Sequence, residues 1–575
     1  MQTLYSDNKN QQILLGLLKC HGVRRAIVSP GATNPAMVMS LQTDPFFEVY
    51  SCVDERSAAY MACGLSEETN EPVLICCTGA TSSRNYMSAL TEAYYRKLPI
   101  VVVTCSKPNY FLGHLFPQVT NRNVYPADIL IDGEHLQVVK DDKDYWDCQF
   151  KINKGLLEMT HHGGGPVHFN VECIAQTCTT KQLPDVRPIY RITQNDNFPE
   201  LSSGKIAVFI GSHKLMTKEL ENSIDKFCER HNAVVFCDHT SGYHGKFDIC
   251  PSLMASQLKH KFYNIFHVDL IIHLGEPSGD YNTTAALKSN KVWRLSEDGC
   301  PRISFGVLDY VFEMPDCLFF EHYCEENKQK NFFYDECTSI YRKLYDAIPE
   351  LPLSHIYVAK ELSNKLPENS EIHIAIITAL RAWNFFKLSP SIRTNCNVGG
   401  FGIDGCMSSM IGASLADKSK IYYCFMGDLA FFYDMNSIGN RHLGSNVRIL
   451  LLNDGKGSEF THFQFPKYSN GDRDHFVAAE GHFGHQSNVF VKHIAEDLGF
   501  EYFQINNKED FFKYINRFTT PEITSKPMLM ELLSSSQEQS DAWEILANIA
   551  DVNTDFAVDL AKRGANKILN LLKGK

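Results

Sequence analysis

Residues 421–430 read Ile-Tyr-Tyr-Cys-Phe-Met-Gly-Asp-Leu-Ala, and residues 447–455 read Val-Arg-Ile-Leu-Leu-Leu-Asn-Asp-Gly. Each stretch begins with an apolar run that has the composition of a buried parallel strand. Gly427 breaks the first run, and residues 430–443 are predicted to form a helix. Because the carboxyl ends of parallel strands open onto one crevice, Asp428 and Asp454 are placed to hold one Mg²⁺ ion against a diphosphate.

Ordinary structure explains either fragment when it is taken alone. A Gly-Asp pair caps many helices, and Asn-Asp-Gly is a common turn. The functional hypothesis therefore depends on both fragments occurring together, with a second strand between the two carboxylates.

Strands and helices alternate on both sides of this stretch. Predicted strands at residues 25–29, 47–53 and 73–77 alternate with helices, a second series opens at residues 205–212, and a third begins near residue 355. The pattern predicts an α/β fold of three doubly wound, Rossmann-like parallel-sheet domains. The predicted limits are 1–185, 200–330 and 350–545, followed by a helical tail at 546–575. In the second series Gly211-Ser212 is a single-glycine turn, which does not indicate a dinucleotide site.

Composition excludes several classes of function. The 575-residue chain has a net charge of −12 and no basic block, which argues against a nucleic-acid partner. It has no apolar run of transmembrane length, so no membrane partner is expected. Its nineteen cysteines form no Cys-x-x-Cys pair, which argues against a zinc ribbon and favours reduced core residues. These features predict a cytoplasmic protein.

Glu55 begins a predicted helix directly after an apolar strand. A carboxylate there is explained by the helix dipole alone. It is also explained as a buried carboxylate, with a raised pKa, that hydrogen-bonds a nitrogen atom of a cofactor.

Four ordered blocks of the chain resemble the thiamine-diphosphate-dependent 2-oxoacid decarboxylases and carboligases. The blocks are Ser29-Pro30-Gly31, Asp54-Glu55-Arg56-Ser57-Ala58, Gly402-Ile403-Asp404-Gly405, and Gly427-Asp428-Leu429 with Tyr433-Asp434-Met435-Asn436. The resemblance covers nearly the whole chain and looks closest to the menaquinone-pathway 2-succinyl-5-enolpyruvyl-6-hydroxy-3-cyclohexene-1-carboxylate synthase family. It implies a pyrimidine-binding domain, a central domain and a diphosphate-binding domain, in that order.

The resemblance also implies roles for individual residues. Glu55 hydrogen-bonds the aminopyrimidine ring, Ile403 is the apolar wedge that bends the cofactor, and Gln118 faces the reacting carbon. The implied metal ligands are the side chains of Asp428 and Asp454 with a backbone oxygen near Lys456. The implied cofactor contacts further include Gly31, Gly400, Gly427, Leu429 and Ala430, and the implied substrate contacts are Thr33, Asn34, Gln118, Arg381 and Asn397.

The activity implied is decarboxylation of a 2-oxo acid and transfer of the resulting carbanion to an acceptor carbonyl or alkene. Thiamine diphosphate and Mg²⁺ are the implied cofactors, and a homodimer or dimer of dimers with sites at the subunit interface is the implied assembly. Two alternatives stay open on the sequence. The first is a simple decarboxylase that releases an aldehyde, and the second is a binding or scaffold protein that kept the fold without turnover.

Two departures from the family pattern concern the acceptor. Thr33 and Val398 stand where the synthase family has arginines suited to the carboxylates of isochorismate. The sequence therefore predicts that isochorismate is not the acceptor. A neutral carbonyl compound, such as an aldehyde or sugar, is predicted instead, with Arg381 binding the carboxylate of the donor.

Overall fold

The computed structural model describes residues 2–122, 124–257, 262–324, 331–461, 475–481, 487 and 489–552. The chain divides into two compact units. The first comprises residues 1–191 with 309–311, and the second comprises residues 192–308 with 312–575. The predicted α/β fold of three parallel-sheet domains is confirmed, whereas the predicted domain limits stay a prediction.

The first unit contains a six-stranded sheet in the order β2-β1-β3-β4-β6-β5. All of its pairings are parallel. The central strands are apolar on both faces because helices cover both sides. Its strands are β1 (Arg25–Val28), β2 (Glu48–Ser51), β3 (Val73–Thr78), β4 (Ile100–Ser106), β5 (Asp132–Leu136) and β6 (Val167–Glu172). Its helices are α1 (Lys9–Cys20), α2 (Pro35–Thr43), α3 (Glu55–Thr69), α4 (Thr81–Asn85), α5 (Met87–Arg96) and α6 (Asp142–Glu158).

The second sheet is of the Rossmann type. Its strands are β7 (Tyr190–Thr193), β8 (Ile206–Ile210), β9 (Ala233–Cys237), β10 (Asp248–Ile249), β11 (Leu270–Leu274), β12 (Val292–Leu295) and β13 (Tyr310–Glu313). Strands β8 to β12 lie in the second unit in the order β10-β9-β8-β11-β12, so the direction of winding reverses between β8 and β11. The chain passes between the two units at β7 and β13. The accompanying helices are α7 (Lys218–Arg230), α8 (Ser252–Ala255), α9 (Tyr263–Phe266), α10 (Tyr281–Ala286), α11 (Asp316–His322) and α12 (Phe332–Asp346).

The third sheet has the order β15-β14-β16-β17-β19-β18, which repeats the winding of the first sheet. Its strands are β14 (Glu371–Ile374), β15 (Arg393–Asn395), β16 (Tyr422–Gly427), β17 (Val447–Asn453), β18 (Glu501–Ile505) and β19 (Met528–Leu533). Its helices are α13 (His355–Leu362), α14 (Thr378–Trp383), α15 (Cys406–Ser414), α16 (Asp428–Asp434), α17 (Phe490–Asp497), α18 (Lys508–Phe518), α19 (Ser536–Ala547) and α20 (Ile549–Val552).

One predicted helix is shorter than expected. The helix predicted over residues 430–443 ends at Asp434 and continues only as a 3₁₀ turn, Met435–Gly439. Asp434 leaves the helical conformation with φ −118°. Its carboxylate instead accepts hydrogen bonds from the backbone N–H and the hydroxyl of Ser408. The helix thus ends where the side chain of Asp434 binds Ser408, a contact that local periodicity does not reveal.

Two further observations bear on the sequence-based expectations. All nineteen cysteines are free thiols. Within the described residues, no helix has the length and apolar composition needed to span a bilayer. Most of the predicted C-terminal tail, residues 553–575, lies outside the described residues.

Candidate active site

The strand-to-helix junction at Gly427 brings the ends of β16 and β17 together. Asp428 is buried, with one carboxylate oxygen bonded to the backbone N–H of Leu429 at 2.6 Å. Its other oxygen accepts a hydrogen bond from the backbone N–H of Gly455 at 2.8 Å. This bond fixes Asp428 against the turn that follows β17, as adjacent parallel strands predict.

The carboxyl groups of Asp428 and Asp454 lie within hydrogen-bonding reach of each other. Burial, and then repulsion by Asp454, raises the pKa of Asp428 well above its usual range, and burial also raises the pKa of Asp454. Oxygen Oδ2 of Asp454 is shielded from solvent and accepts no hydrogen bond from the part of the chain that the structure describes. Two buried carboxylates with an unsatisfied oxygen are costly by themselves and fit a hard divalent cation bound between them.

Lys456 and His355 lie beside this pair. The backbone N–H of Lys456 is 3.4 Å from Oδ1 of Asp454, so the chain turns tightly around that carboxylate. A Cβ atom at Gly427 would lie 3.6 Å from Nε2 of His355. Burial lowers the pKa of His355 to about 4, which leaves an uncharged imidazole near the junction at neutral pH.

The glycine-rich run 397–405 lies in the same unit as the carboxylate pair. Gly400 has open space around it, Ile403 is half-buried, and Leu429 is also half-buried. Asn397 is exposed and exchanges hydrogen bonds with the hydroxyl of Ser409 at 3.2 and 3.3 Å. Val398, in contrast, is buried and contributes only apolar surface.

Arg381 already has an acidic partner. Its Nη1 lies 2.5 Å from Oε1 of Glu459, and its guanidinium lies 4.7 Å above the ring of Tyr281. Oε2 of Glu459 accepts a second hydrogen bond from the hydroxyl of Thr378 at 3.4 Å. The helix that carries Arg381 begins after Ile377, a β-branched residue with φ 69° and ψ −112°.

In the first unit, Gly31, Thr33 and Asn34 form part of the packing. A Cβ atom at Gly31 would lie 2.7 Å from the side chain of Thr78. The hydroxyl of Thr33 is 2.5 Å from the carbonyl oxygen of Cys105 and also contacts the hydroxyl of Thr78. Asn34 is fully buried and bonds the N–H of Gly31 and the carbonyl of Ser29. These polar groups are therefore engaged within the protein.

Glu55 and Gln118, in the same unit, are more exposed to solvent than Thr33 and Asn34. Glu55 is half-buried at the start of α3, and its Oε2 is 3.5 Å from Nδ2 of Asn85. Gln118 is exposed and has a left-handed backbone with φ 61°. Asp54 caps α3 by accepting a hydrogen bond from the backbone N–H of Arg56, so it satisfies the helix terminus beside Glu55.

Comparison with known proteins identifies the family. A family model described as thiamine pyrophosphate enzyme, N-terminal TPP binding domain, matches residues 8–124. The 2-succinyl-5-enolpyruvyl-6-hydroxy-3-cyclohexene-1-carboxylate synthase of Phocaeicola vulgatus is 30% identical over 563 residues, which cover 93% of this chain and 97% of that protein. The chain belongs to this synthase family. The synthase of Bacteroides fragilis is likewise 30% identical, with 93% and 98% covered, and that of Flavobacterium psychrophilum is 26% identical, with 85% and 92% covered.

Membership of the synthase family confirms three predictions made from the sequence. They are thiamine diphosphate as the cofactor, the decarboxylase and carboligase class of enzyme, and the transfer of a decarboxylated fragment to an acceptor. The roles of individual residues, the acceptor and the assembly stay predictions.

Sequence reasoning missed Glu459 and His355 as neighbours of the site. Glu459 follows Arg381 by 78 residues, and His355 precedes Gly427 by 72 residues. No short spacing links either pair, so only the folded sheet brings them together.

Proposed function

We propose that this chain uses thiamine diphosphate and Mg²⁺ to join a 2-oxo acid donor to a neutral acceptor. The observation that supports the cofactor site best is the buried pair of carboxylates, in which no described residue donates a hydrogen bond to Oδ2 of Asp454. Asp428, Asp454 and the backbone oxygen of Lys456 would hold the metal ion. The backbone at Gly427, Leu429 and Ala430 would approach the diphosphate.

When bound, the cofactor supplies an electron sink for the bond broken in decarboxylation. Glu55 would hold and move a proton at the ring nitrogen of the aminopyrimidine. Its carboxylate stands at a helix start, where the structure gives it a 3.5 Å hydrogen bond from Asn85. Ile403 would provide apolar surface against the cofactor. Gln118, Gly31 and Gly400 would complete the surroundings of the reacting atoms.

The charge around the substrate groups supports a neutral acceptor. Arg381 is neutralised by Glu459 at 2.5 Å, and Val398 offers no polar group. Thr33 and Asn34 already bond within the first unit. Transfer of a dicarboxylate from water into such surroundings leaves its charge without compensation. Asn397 is exposed and carries an amide suited to a hydroxyl or carbonyl group.

We propose a homodimer, alone or as a dimer of dimers, in which Glu55 of one subunit serves the metal site of the other. Helix α3 exposes Tyr60 and Met61 behind Glu55, and Val53 before it is 80% exposed. Apolar side chains grouped in this way favour burial against another chain. The nineteen free thiols support a reducing, cytoplasmic setting.

Turnover measurements test the acceptor directly. The purified protein would be given 2-oxoglutarate or pyruvate as donor, with isochorismate or a panel of sugar aldehydes and ketones as acceptor. We expect ligated product with a neutral acceptor and little with isochorismate. A loss of two charge-assisted contacts removes ~3–6 kcal/mol, or two to four decades of affinity.

A variant sharpens this test. Glu459→Gln leaves Arg381 uncompensated, so use of the dicarboxylic donor 2-oxoglutarate should rise relative to pyruvate. Efficient formation of the relatives' named product from isochorismate, with nothing from the panel, would show that the acceptor proposal is wrong. Aldehyde release with every acceptor would indicate a simple decarboxylase instead.

A further inference from the structure

A cavity lies at the carboxyl edge of the second sheet, beside the point where the direction of winding reverses between β8 and β11. It has a volume of about 870 Å³. Its walls are the segments after β8, β11 and β12, together with β15 of the third sheet. In open parallel sheets, ligands bind in the crevice at such a reversal point.

The local structure excludes a dinucleotide from this crevice. A Cβ atom at Gly211 would lie 1.9 Å from the carbonyl oxygen of Glu276, so the two segments that flank the reversal point touch. The backbone N–H of Glu276 also donates to the carbonyl of Ser212 at 2.7 Å. Helix α7 carries Glu219 and Glu221 in its first turn, where their charge opposes a diphosphate. The cavity therefore lies beside this closed point rather than in it.

Arg294 is the most unusual group in the cavity wall. Its side chain is only 2% exposed, and neither Nε nor Nη1, both shielded from solvent, has a hydrogen-bond acceptor among the described residues. Its remaining nitrogen, Nη2, is 3.5 Å from Oε1 of Glu276, whose side chain is 62% exposed. A buried guanidinium requires a closer and better-buried anion than this one.

Two of the acidic groups in the wall already have basic partners. His213 lies 3.4 Å from Asp316, and Arg302 holds Asp298 through two hydrogen bonds of 3.0 and 2.5 Å. The cavity lining carries the cations Lys214, Arg294 and Arg393 and four carboxylates, Glu276, Glu297, Asp298 and Asp316. Because Asp298 is held by Arg302 and Asp316 lies beside His213, the buried Arg294 keeps Glu276 as its ion-pair partner.

We propose that this cavity binds a small metabolite through an oxyanion group, a phosphate monoester or a carboxylate, which displaces Glu276 from Arg294. The ligand would meet Arg393 on the opposite wall, which belongs to the third sheet. The site is separate from the carboxylate pair at Asp428 and Asp454, because neither residue lines the cavity. The proposal therefore stands whether or not the proposed acceptor is correct.

Calorimetry on the holoenzyme tests this proposal. The protein is saturated with thiamine diphosphate and Mg²⁺, so that the catalytic diphosphate site is occupied, and titrated with inorganic phosphate, glycerol 3-phosphate or malonate. Glu276→Gln removes the competing carboxylate and should tighten binding by roughly two- to fivefold. Arg393→Gln should weaken it by a similar factor, and Arg294→Gln by roughly tenfold or more. Glu496→Gln, an exposed change on α17, is the control and should have no effect.

The opposite signs of the Glu276 and Arg393 variants keep the proposal falsifiable if Arg294→Gln fails to fold. If the two variants change affinity in opposite directions only for inorganic phosphate and glycerol 3-phosphate, the ligand is a phosphate. If they do so only for malonate, the ligand is a carboxylate. The absence of binding for every probe overturns the proposal, as does binding that neither Glu276→Gln nor Arg393→Gln alters.

Discussion

The first and third sheets have the same strand order, yet different side chains lie at their carboxyl edges. At the end of β3, a Cβ atom on Gly79 would lie 3.2 Å from the guanidinium of Arg122, which is buried and donates to Asn170. At the end of β16, the nearest atom to the same point on Gly427 is a histidine nitrogen at 3.6 Å. The first crevice is filled by the protein's own cation, whereas the third presents two carboxylates that need one. Shared topology thus fixes where a site can form, and the side chains decide which of the two sheets is suited to a metal ion.

The largest effect is expected at the third sheet. Asp428→Ala should abolish Mg²⁺-dependent binding of thiamine diphosphate, because Asp454 alone cannot hold the cation against the diphosphate. Calorimetry with and without Mg²⁺ measures this, and the variant should still unfold cooperatively. Asp417→Ala, at an exposed turn of the same unit, is the control. Unchanged affinity in Asp428→Ala would remove this residue from the metal site.

The first sheet should contribute to turnover rather than to metal binding. Glu55→Gln is expected to keep the cofactor but to lower kcat by roughly 10²-fold or more, the scale of a positioned proton-transfer group. Steady-state kinetics with a cofactor-binding measurement separates the two effects. Glu68→Gln on the same helix is the matched control. Near-normal turnover with bound cofactor would exclude Glu55 from the mechanism.

Substitutions at two glycines distinguish a role in packing from a role in cofactor binding. Gly31→Ala places a methyl group 2.7 Å from Thr78 and should lower the free energy of unfolding by ~1–3 kcal/mol. Gly427→Ala meets only an ordinary contact, so the stability of the cofactor-free protein should stay the same. Its affinity for thiamine diphosphate should fall, because the methyl group occupies the approach to the diphosphate. Equal loss of stability in both variants would contradict this distinction.

A smaller effect concerns pH. Burial raises the pKa of Asp454 and Asp428 in the folded, metal-free protein, so the folded state keeps its protons to higher pH than the unfolded state. The two carboxyl groups therefore contribute fully to the free energy of unfolding below about pH 4, and this contribution is lost as the pH rises through their raised pKa values. Asp454→Asn removes the repulsion and should stabilise the metal-free protein by about 1–3 kcal/mol at pH 7, with little change at pH 4.

Urea unfolding at both pH values, compared with wild type, measures this difference. Subtracting the wild-type free energy of unfolding from that of the variant cancels the contributions of the other groups, including the nearby Lys456 and His355. A gain that is larger at pH 4 than at pH 7 would contradict the raised values.

The sequence was sufficient to predict contacts that depend on strand order. It was not sufficient to predict contacts between side chains from distant segments. Asp428 and Asp454 were paired in advance because both follow buried apolar strands, and adjacent carboxyl ends share an edge. The neutralisation of Arg381 by Glu459 was not predictable, because 78 residues separate them. The hydrogen bonds of Thr33 to Cys105 and Thr78 were hidden for the same reason. The early end of α16 likewise involves Ser408, which precedes Asp434 by 26 residues.

Ile377 has a consequence for how this chain would respond to laboratory evolution. A β-branched residue at φ 69° and ψ −112° is held there by its surroundings at a cost of about 1–3 kcal/mol. Globular proteins have only about 5–15 kcal/mol of net stability, so this one backbone angle uses a noticeable part of the margin that absorbs new mutations. Glycine adopts the same angle without the steric cost. Ile377→Gly would relieve that cost, but it would also remove a half-buried side chain and raise the entropy of the unfolded chain. Only what remains of the gain would be available to absorb destabilising changes around Arg381 and Glu459.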